Sequence, residues 1–163
     1  MALTIQMMRN HISNLLLDYN IHTGDAALCL RMTGADLKLA KGMANFEHRH
    51  VFFLPIDSDR DYYGALHEIG HIVTNDTAHF DTYSQILRRA IYVANQIDDK
   101  EKREIGIQLL TELRLTCEQA AMDWARQNAL EWTDAMTDYA VESYATHLQA
   151  LYKPIFGILI QIS

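Results

Sequence analysis

Apolar residues recur every three or four positions through the last half of the chain. They fall into three segments, near residues 79–97, 101–129 and 134–150, which are separated by the polar stretches QIDDKEK and EWTD. Apolar side chains at this spacing share one face of an α-helix. The pattern therefore predicts three long amphipathic helices, and packed helices should dominate the fold.

The first third of the chain has a different pattern. Five apolar residues near the start lie at helical spacing and predict a first helix: Ile5, Met8, Ile12, Leu15 and Leu16. The β-like run ALCLRM follows, and then the segment DLKLAKGMANFEHRHVFFLPI predicts two or three short strands, broken at Lys41–Gly42 and near His48–Arg49. Strands early and helices late predict an α+β fold, mostly helical, with a small N-terminal antiparallel or mixed sheet.

The stretch VFFLP is the clearest strand, and Pro55 ends it. Proline has no backbone N–H to donate to a neighbouring strand, so it favours a strand end or the edge of a sheet. We expect this strand to be an edge strand. A peptide could then add to it as an extra strand, bound through backbone hydrogen bonds.

Length, charge and cysteine content narrow the class of protein. The 163 residues, 49% of them apolar, suit a single domain spanning 1–163, and the net charge of −7 argues against nucleic-acid binding. Cys29 and Cys117 are far apart in sequence and are predicted to be reduced thiols, with one disulfide as the alternative.

The N-terminus has no signal-peptide pattern, and the apolar stretch PIFGILIQIS is about half a membrane span. A cytoplasmic protein without a membrane partner is expected.

The segment DSDRDYYGALHEIGHIVTND carries the most specific signal. Helix-capping residues open it, with Ser58 or Asp59 as the predicted N-cap, and the helix should run from about 59 to 74. His67 and His71 lie one turn apart on one face, where two imidazoles can bind one tetrahedral ion at about 2 Å. The Glu68 side chain is rotated by roughly 100° around the helix axis from that of His67, which places its carboxylate beside the metal rather than among its ligands.

This arrangement suits metal-assisted hydrolysis. A carboxylate next to a metal-bound water is placed to act as the general base that deprotonates it, which assigns that role to Glu68. Gly70 lies inside the helix, where glycine costs up to about 1 kcal/mol relative to alanine. We therefore expect another element to approach the helix closely at Gly70.

A catalytic zinc site needs a third protein ligand besides the two histidines. Four acidic residues on the later helices are candidates: Glu112, Glu118, Glu131 and Glu142. Glu118 is favoured because Ala121 and Ala125 lie on its side of the helix, and small residues allow close approach to the motif helix. Glu142, in VESYATHL, repeats the Glu-x-x-Ala arrangement and is the alternate.

Three other histidines, His48, His50 and His79, are expected to be solvated. Position 77 is a threonine, so the histidine that extends some zinc motifs is absent, and His79 is predicted to lie in a loop. His48 and His50 would share one face of a strand and could bind a metal together. Because no third ligand lies near them in sequence, a solvated strand end is the favoured interpretation.

The motif residues resemble those of the zincin metallopeptidases of the gluzincin type, especially the compact ImmA/IrrE-like and ArdC-like domains of phages and other mobile elements. In that group a strand ending in LP precedes ALHEIGH, as in this chain. A later helix carries Glu-x-x-Ala-x-x-aromatic-Ala, matched by Glu118, Ala121, Trp124 and Ala125. The resemblance implies a zincin-like fold and one Zn²⁺ ion bound by His67, His71 and Glu118.

The resemblance also implies a function. The chain is expected to hydrolyse peptide bonds of an intracellular protein, in the host cytoplasm if a phage encodes it. The alternative is a non-catalytic zincin-fold protein that binds and inhibits a host factor. A purely structural zinc usually has four protein ligands, often cysteines, and would not need Glu68 at the water-activating position. These considerations favour the peptidase.

Overall fold

The computed structural model describes residues 3–24 and 42–160, with side chains up to position 146 and at position 148. Within these ranges the chain forms five helices and three short strands, in the order α1 (Ile5–Asp18), β1 (His22–Thr23), β2 (Gly42–Asn45), β3 (His50–Phe53), α2 (Asp59–Ala78), α3 (Phe80–Gln96), α4 (Lys100–Asn128) and α5 (Asp134–Ile160). The prediction of a mostly helical α+β domain is confirmed. The run ALCLRM lies outside the described residues.

The strands form one mixed sheet in the order β1–β3–β2. Strand β3 pairs in parallel with β1, which sets His22 opposite His50, and antiparallel with β2. The expected mixed sheet is thus present, but the prediction of an edge strand at VFFLP is wrong. Pro55 lies two residues beyond the end of β3, so its missing N–H does not prevent pairing on both sides. A peptide therefore cannot add to β3 as proposed from the sequence.

The turn between β2 and β3 is anchored by Arg49, which has a positive φ of 47°. Its guanidinium donates to the Tyr19 carbonyl at 2.6 Å and to the Asp76 carboxylate at 2.6 Å, and so ties the turn to α1 and α2. His48 is exposed as expected, whereas His50 is only 7% exposed. The prediction that His50 is solvated is wrong, because β3 is the central strand of the sheet and His50 is buried there.

Helix α2 begins where the capping pattern predicts. The Ser58 side chain accepts a hydrogen bond from the Asp61 N–H, and acidic residues in the first turn suit the positive end of the helix dipole. The helix continues four residues past the predicted end. It stops at His79, which has a left-handed φ of 53° and is exposed, in agreement with the predicted loop histidine.

Helix α2 contributes more residues to the buried core than any other described element. Its fully buried apolar side chains include Tyr62, Leu66, Ile69 and Ile72. The Tyr62 hydroxyl lies 2.6 Å from His11 Nδ1 on α1 and accepts from the Leu130 N–H at 3.1 Å, after α4. One buried hydroxyl therefore links three parts of the fold.

Tyr62→Phe is expected to lower the free energy of unfolding by about 1–3 kcal/mol, because His11 Nδ1 and the Leu130 N–H lose a buried partner. Urea denaturation monitored by circular dichroism measures the change. Tyr83→Phe is the matched control, since Tyr83 is 53% exposed and should lose almost nothing. Equal stability of the two variants would contradict the role of the Tyr62 hydroxyl.

Candidate metal centre

His67 and His71 project from the same face of α2 into a shared space. Their ring centroids are 4.5 Å apart, and each residue is 8% exposed. Such a pair follows from the four-residue spacing on a helix that the core holds in place. The two rings are nearly perpendicular, with an interplanar angle of 76°, and imidazoles this close can bind one ion.

Glu118, the acidic residue favoured from the sequence, reaches this pair from α4. Its Oε2 atom lies 3.1 Å from His67 Nε2 and 3.5 Å from His71 Nε2. All three ligand atoms lie within 4.8 Å of one another, and the two histidines are buried. The three side chains therefore form a group that could hold a metal ion.

The close approach of α2 and α4 brings Glu118 into place. A Cβ added to Gly70 would lie 2.7 Å from the Ala121 carbonyl oxygen, closer than real Cβ atoms come to backbone. Ala121 and Ala125 are fully buried in the same interface. The predicted close approach at Gly70 is confirmed, and the small residues on the Glu118 side of α4 allow it.

The three other acidic candidates do not join the group. Glu142 lies on α5, is exposed and pairs with Arg60 at 2.7 Å. Glu112 is exposed and accepts a hydrogen bond from Gln108, and Glu131 is exposed in the segment after α4. Within residues 3–24 and 42–160, Glu118 is the carboxylate that completes a three-residue ligand set with the histidine pair.

Two further residues contact the outer nitrogens of the histidines. The Tyr63 hydroxyl lies 3.4 Å from His67 Nδ1, and the Cys117 sulfur lies 3.4 Å from His71 Nδ1. These contacts orient the rings so that both Nε2 atoms face Glu118. Tyr63 was detectable in the sequence, because it precedes His67 by four residues and shares its helix face. Cys117 was not, because its contact depends on the path of α4.

The Cys117 thiol is free and half-buried, as expected for a reduced cysteine. Cys29, the other cysteine of the chain, lies outside the described residues. The Cys117 sulfur contacts His71, and the reduced state of the two cysteines stays a prediction.

The electrostatic environment of the group favours a positive charge. Burial lowers the pKa of His71, but hydrogen bonds to Cys117 and Glu118 and the charges of Glu118 and Glu68 outweigh it and raise the pKa well above its ordinary value. Burial, followed by the same two carboxylates, raises the pKa of Tyr63, which keeps its hydroxyl protonated. A field that stabilises a proton on His71 also stabilises a metal cation between the ligands.

Glu68 lies beside the three ligands on the wall of a cavity and is half-buried. Its carboxylate rests against Gly42, the first residue of β2, where an added Cβ would overlap Glu68 Oε1. Glycine at this position therefore leaves the space that the carboxylate occupies. The sequence predicted the place of Glu68 on the helix but not this contact with the sheet.

The cavity has a volume of about 700 Å³ and is open to solvent. His67, Glu68, His71 and Glu118 form one part of its wall, and residues of α3, α5 and the sheet complete it. This volume is within the range of small-molecule and peptide sites. A substrate group can therefore reach the candidate metal position from solvent.

No family model, curated protein or solved structure matches the chain. The resemblance to zincins thus remains a prediction from the motif residues, and the chemistry of the site has to be inferred from its own geometry. In the parts of the chain that the structure describes, no helix combines the length and apolar character needed to cross a membrane.

Proposed function

We propose that the protein is a zincin-like, zinc-dependent endopeptidase that cleaves an intracellular protein. The observation that supports this proposal is the convergence of His67, His71 and Glu118 around one point, with Glu68 beside them in an open cavity. The ligand set supplies a metal site, Glu68 at the second position of the His-Glu-x-x-His motif supplies a base, and the cavity supplies access for a peptide.

The donor set favours zinc over harder cations. Two imidazole nitrogens and one carboxylate are a common catalytic zinc set, whereas calcium and magnesium prefer oxygen ligands. Ligand atoms at about 2.0–2.1 Å from a tetrahedral ion lie roughly 3.3–3.4 Å apart. The separations of 3.1 and 3.5 Å between Glu118 Oε2 and the two Nε2 atoms fit this geometry with small adjustments.

Each residue of the site would have a separate role in peptide hydrolysis. Zinc, when bound, lowers the pKa of water and polarises a peptide carbonyl. Glu68 accepts the proton of the attacking water and later donates it to the leaving amine. Tyr63 and Cys117 hold the outer nitrogens of the histidines, which keeps the ligand rings oriented.

The alternative is a zincin-fold protein that binds and inhibits a host factor without cutting it. A structural zinc in such a protein would usually have a fourth protein ligand, often cysteine. Cys117 is the nearest described cysteine, but it contacts His71 Nδ1 and is not among the three converging ligands. The three-ligand set and the position of Glu68 therefore support catalysis.

The wild-type protein is expected to bind one zinc ion per chain, and His67→Ala should weaken zinc binding by more than about 100-fold, since loss of an outer-sphere partner alone can cost 10–100-fold. Competition with a coloured chelator measures the affinity, and circular dichroism verifies the fold. His79→Ala is the matched control because His79 is exposed and is not part of the ligand set. Equal zinc affinity of wild type and His67→Ala would overturn the metal site.

Peptidase activity is tested separately on protein mixtures. A host lysate incubated with the zinc-loaded wild type should gain new protein termini, detected by mass spectrometry, and the lysate incubated with His67→Ala should not. If zinc binds through His67 but no new termini form, the metal site stands and the peptidase function fails.

A further inference from the structure

Two arginines lie on the wall of the cavity that contains the candidate metal centre. Arg88 comes from α3 and Arg114 from α4. Arg60 pairs with Glu142, another residue of the cavity wall, at 2.7 Å. In contrast, within the described parts of the chain neither Arg88 nor Arg114 forms a hydrogen bond or an ion pair. Both guanidinium groups are therefore available to a ligand.

The two positive charges act on each other. The pKa of Arg114 is lowered first by burial and then by the charge of Arg88, with no described carboxylate acting in the opposite direction. Like charges on one cavity wall repel each other, and an anion placed between them relieves the repulsion. Guanidinium groups are also the side chains best suited to bind carboxylates through paired hydrogen bonds.

The position of the pair relative to the metal centre is set by the helices. Arg114 precedes Glu118 by four residues, so the two lie one turn apart on the same face of α4, roughly 6 Å along the axis. Helix α3 is held close to α4 where Gly106 faces Ile91, since an added Cβ would lie 2.7 Å from Ile91 Cγ1. An extended peptide advances about 3.3 Å per residue, so this distance corresponds to about two residues.

We propose that Arg88 and Arg114 form a subsite for a carboxylate of the peptide substrate, about two residues from the scissile bond. The subsite rests on the proposed peptidase function and adds a substrate class to it. The protein has a net charge of −7 and would repel an acidic peptide. The two arginines would offset this repulsion locally and allow a carboxylate to bind in the cavity. The carboxylate belongs either to an acidic side chain or to the C-terminus of the peptide.

The test measures binding in the Glu68→Gln background, where zinc is retained and the peptides are not consumed. The probes are alanine-based octapeptides with one Glu or one Gln at each position in turn, and each is made with a free or an amidated C-terminus. If the side chain is bound, a Glu peptide should bind about tenfold more tightly than its Gln counterpart. If the C-terminus is bound, the free acid should bind about tenfold more tightly than the amide.

Arg88→Gln and Arg114→Gln, each added to the Glu68→Gln background, should abolish this preference. Arg89→Gln is the matched control, because Arg89 is the exposed neighbour on α3 and is not part of the cavity wall. The preference for the carboxylate should also shrink when the salt concentration is raised from about 0.05 M to about 0.5 M, since screening weakens exposed charge pairs. A merely structural role of the arginines would not produce that salt dependence.

The outcomes of these measurements distinguish failure of the arginine subsite from failure of the peptidase function. Equal affinity for acidic and neutral peptides, a preference that survives both arginine substitutions, or no measurable binding of any peptide overturns the subsite. If the wild type fails to cleave peptides that bind through the two arginines, the peptidase function fails while the subsite stands.

Discussion

Glu68→Gln is expected to retain zinc and the fold but to lower the rate of peptide cleavage by about 10²–10⁴-fold, the usual contribution of a general base. The amide has nearly the shape of the carboxylate and can still lie against Gly42, but it cannot accept a proton from water. The three ligand side chains are unchanged, so zinc affinity should stay close to that of the wild type.

Glu112→Gln is the matched control, because Glu112 is exposed on α4 and contacts Gln108 rather than the metal centre. The measurements are zinc content and the rate at which new protein termini form in a host proteome. The Glu68→Gln variant also distinguishes peptide cleavage from non-catalytic binding of a host factor. If wild type and Glu68→Gln produce the same cellular effect and the same protein termini, the protein acts by binding and not by cleavage.

Gly70→Ala is expected to lower the free energy of unfolding by about 1–3 kcal/mol and to weaken zinc binding. The new methyl group would meet the Ala121 carbonyl at 2.7 Å, and backbone cannot rotate away as a side chain can. Helix α4 would have to move outward, and Glu118 would move with it, away from the histidines.

Gly64→Ala is the control for helix propensity. Nothing lies within 4 Å of a Cβ at Gly64, so the same substitution there should stabilise the helix by about 0.5–1 kcal/mol. Urea denaturation and zinc competition on both variants measure the two effects. A Gly70→Ala variant as stable as Gly64→Ala, with unchanged zinc affinity, would show that the contact with Ala121 does not position Glu118.

The metal centre was largely predictable from sequence because its determinants are local. The four-residue spacing places His67 and His71 on one face, and Ser58 marks the start of their helix whatever surrounds it. The assignment of Glu118 as the third ligand required one more inference, that small residues such as Ala121 mark a close contact between helices. Gly70 is the small residue on the other side of that contact.

The sheet and the outer parts of the site were less predictable because they depend on distant contacts. Strand β1 has only two residues, His22 and Thr23, which is too short to show an alternating pattern, so the second neighbour of β3 could not be foreseen. The contact of Gly42 with Glu68 joins a strand to a helix. The pairing of Arg88 with Arg114 depends on how α3 packs against α4.

The ligands and the proposed base are supported by different parts of the fold. Helices α2 and α4 carry His67, His71 and Glu118, whereas the Glu68 carboxylate also lies against Gly42, the first residue of the short strand β2. Strand β2 has four residues, none of them fully buried, and segments with few buried contacts open at a lower free energy than the core does. Under the proposed function, local opening of the sheet would remove this contact with Glu68 without moving the three side chains that would hold an ion, so water activation would be lost before ion binding.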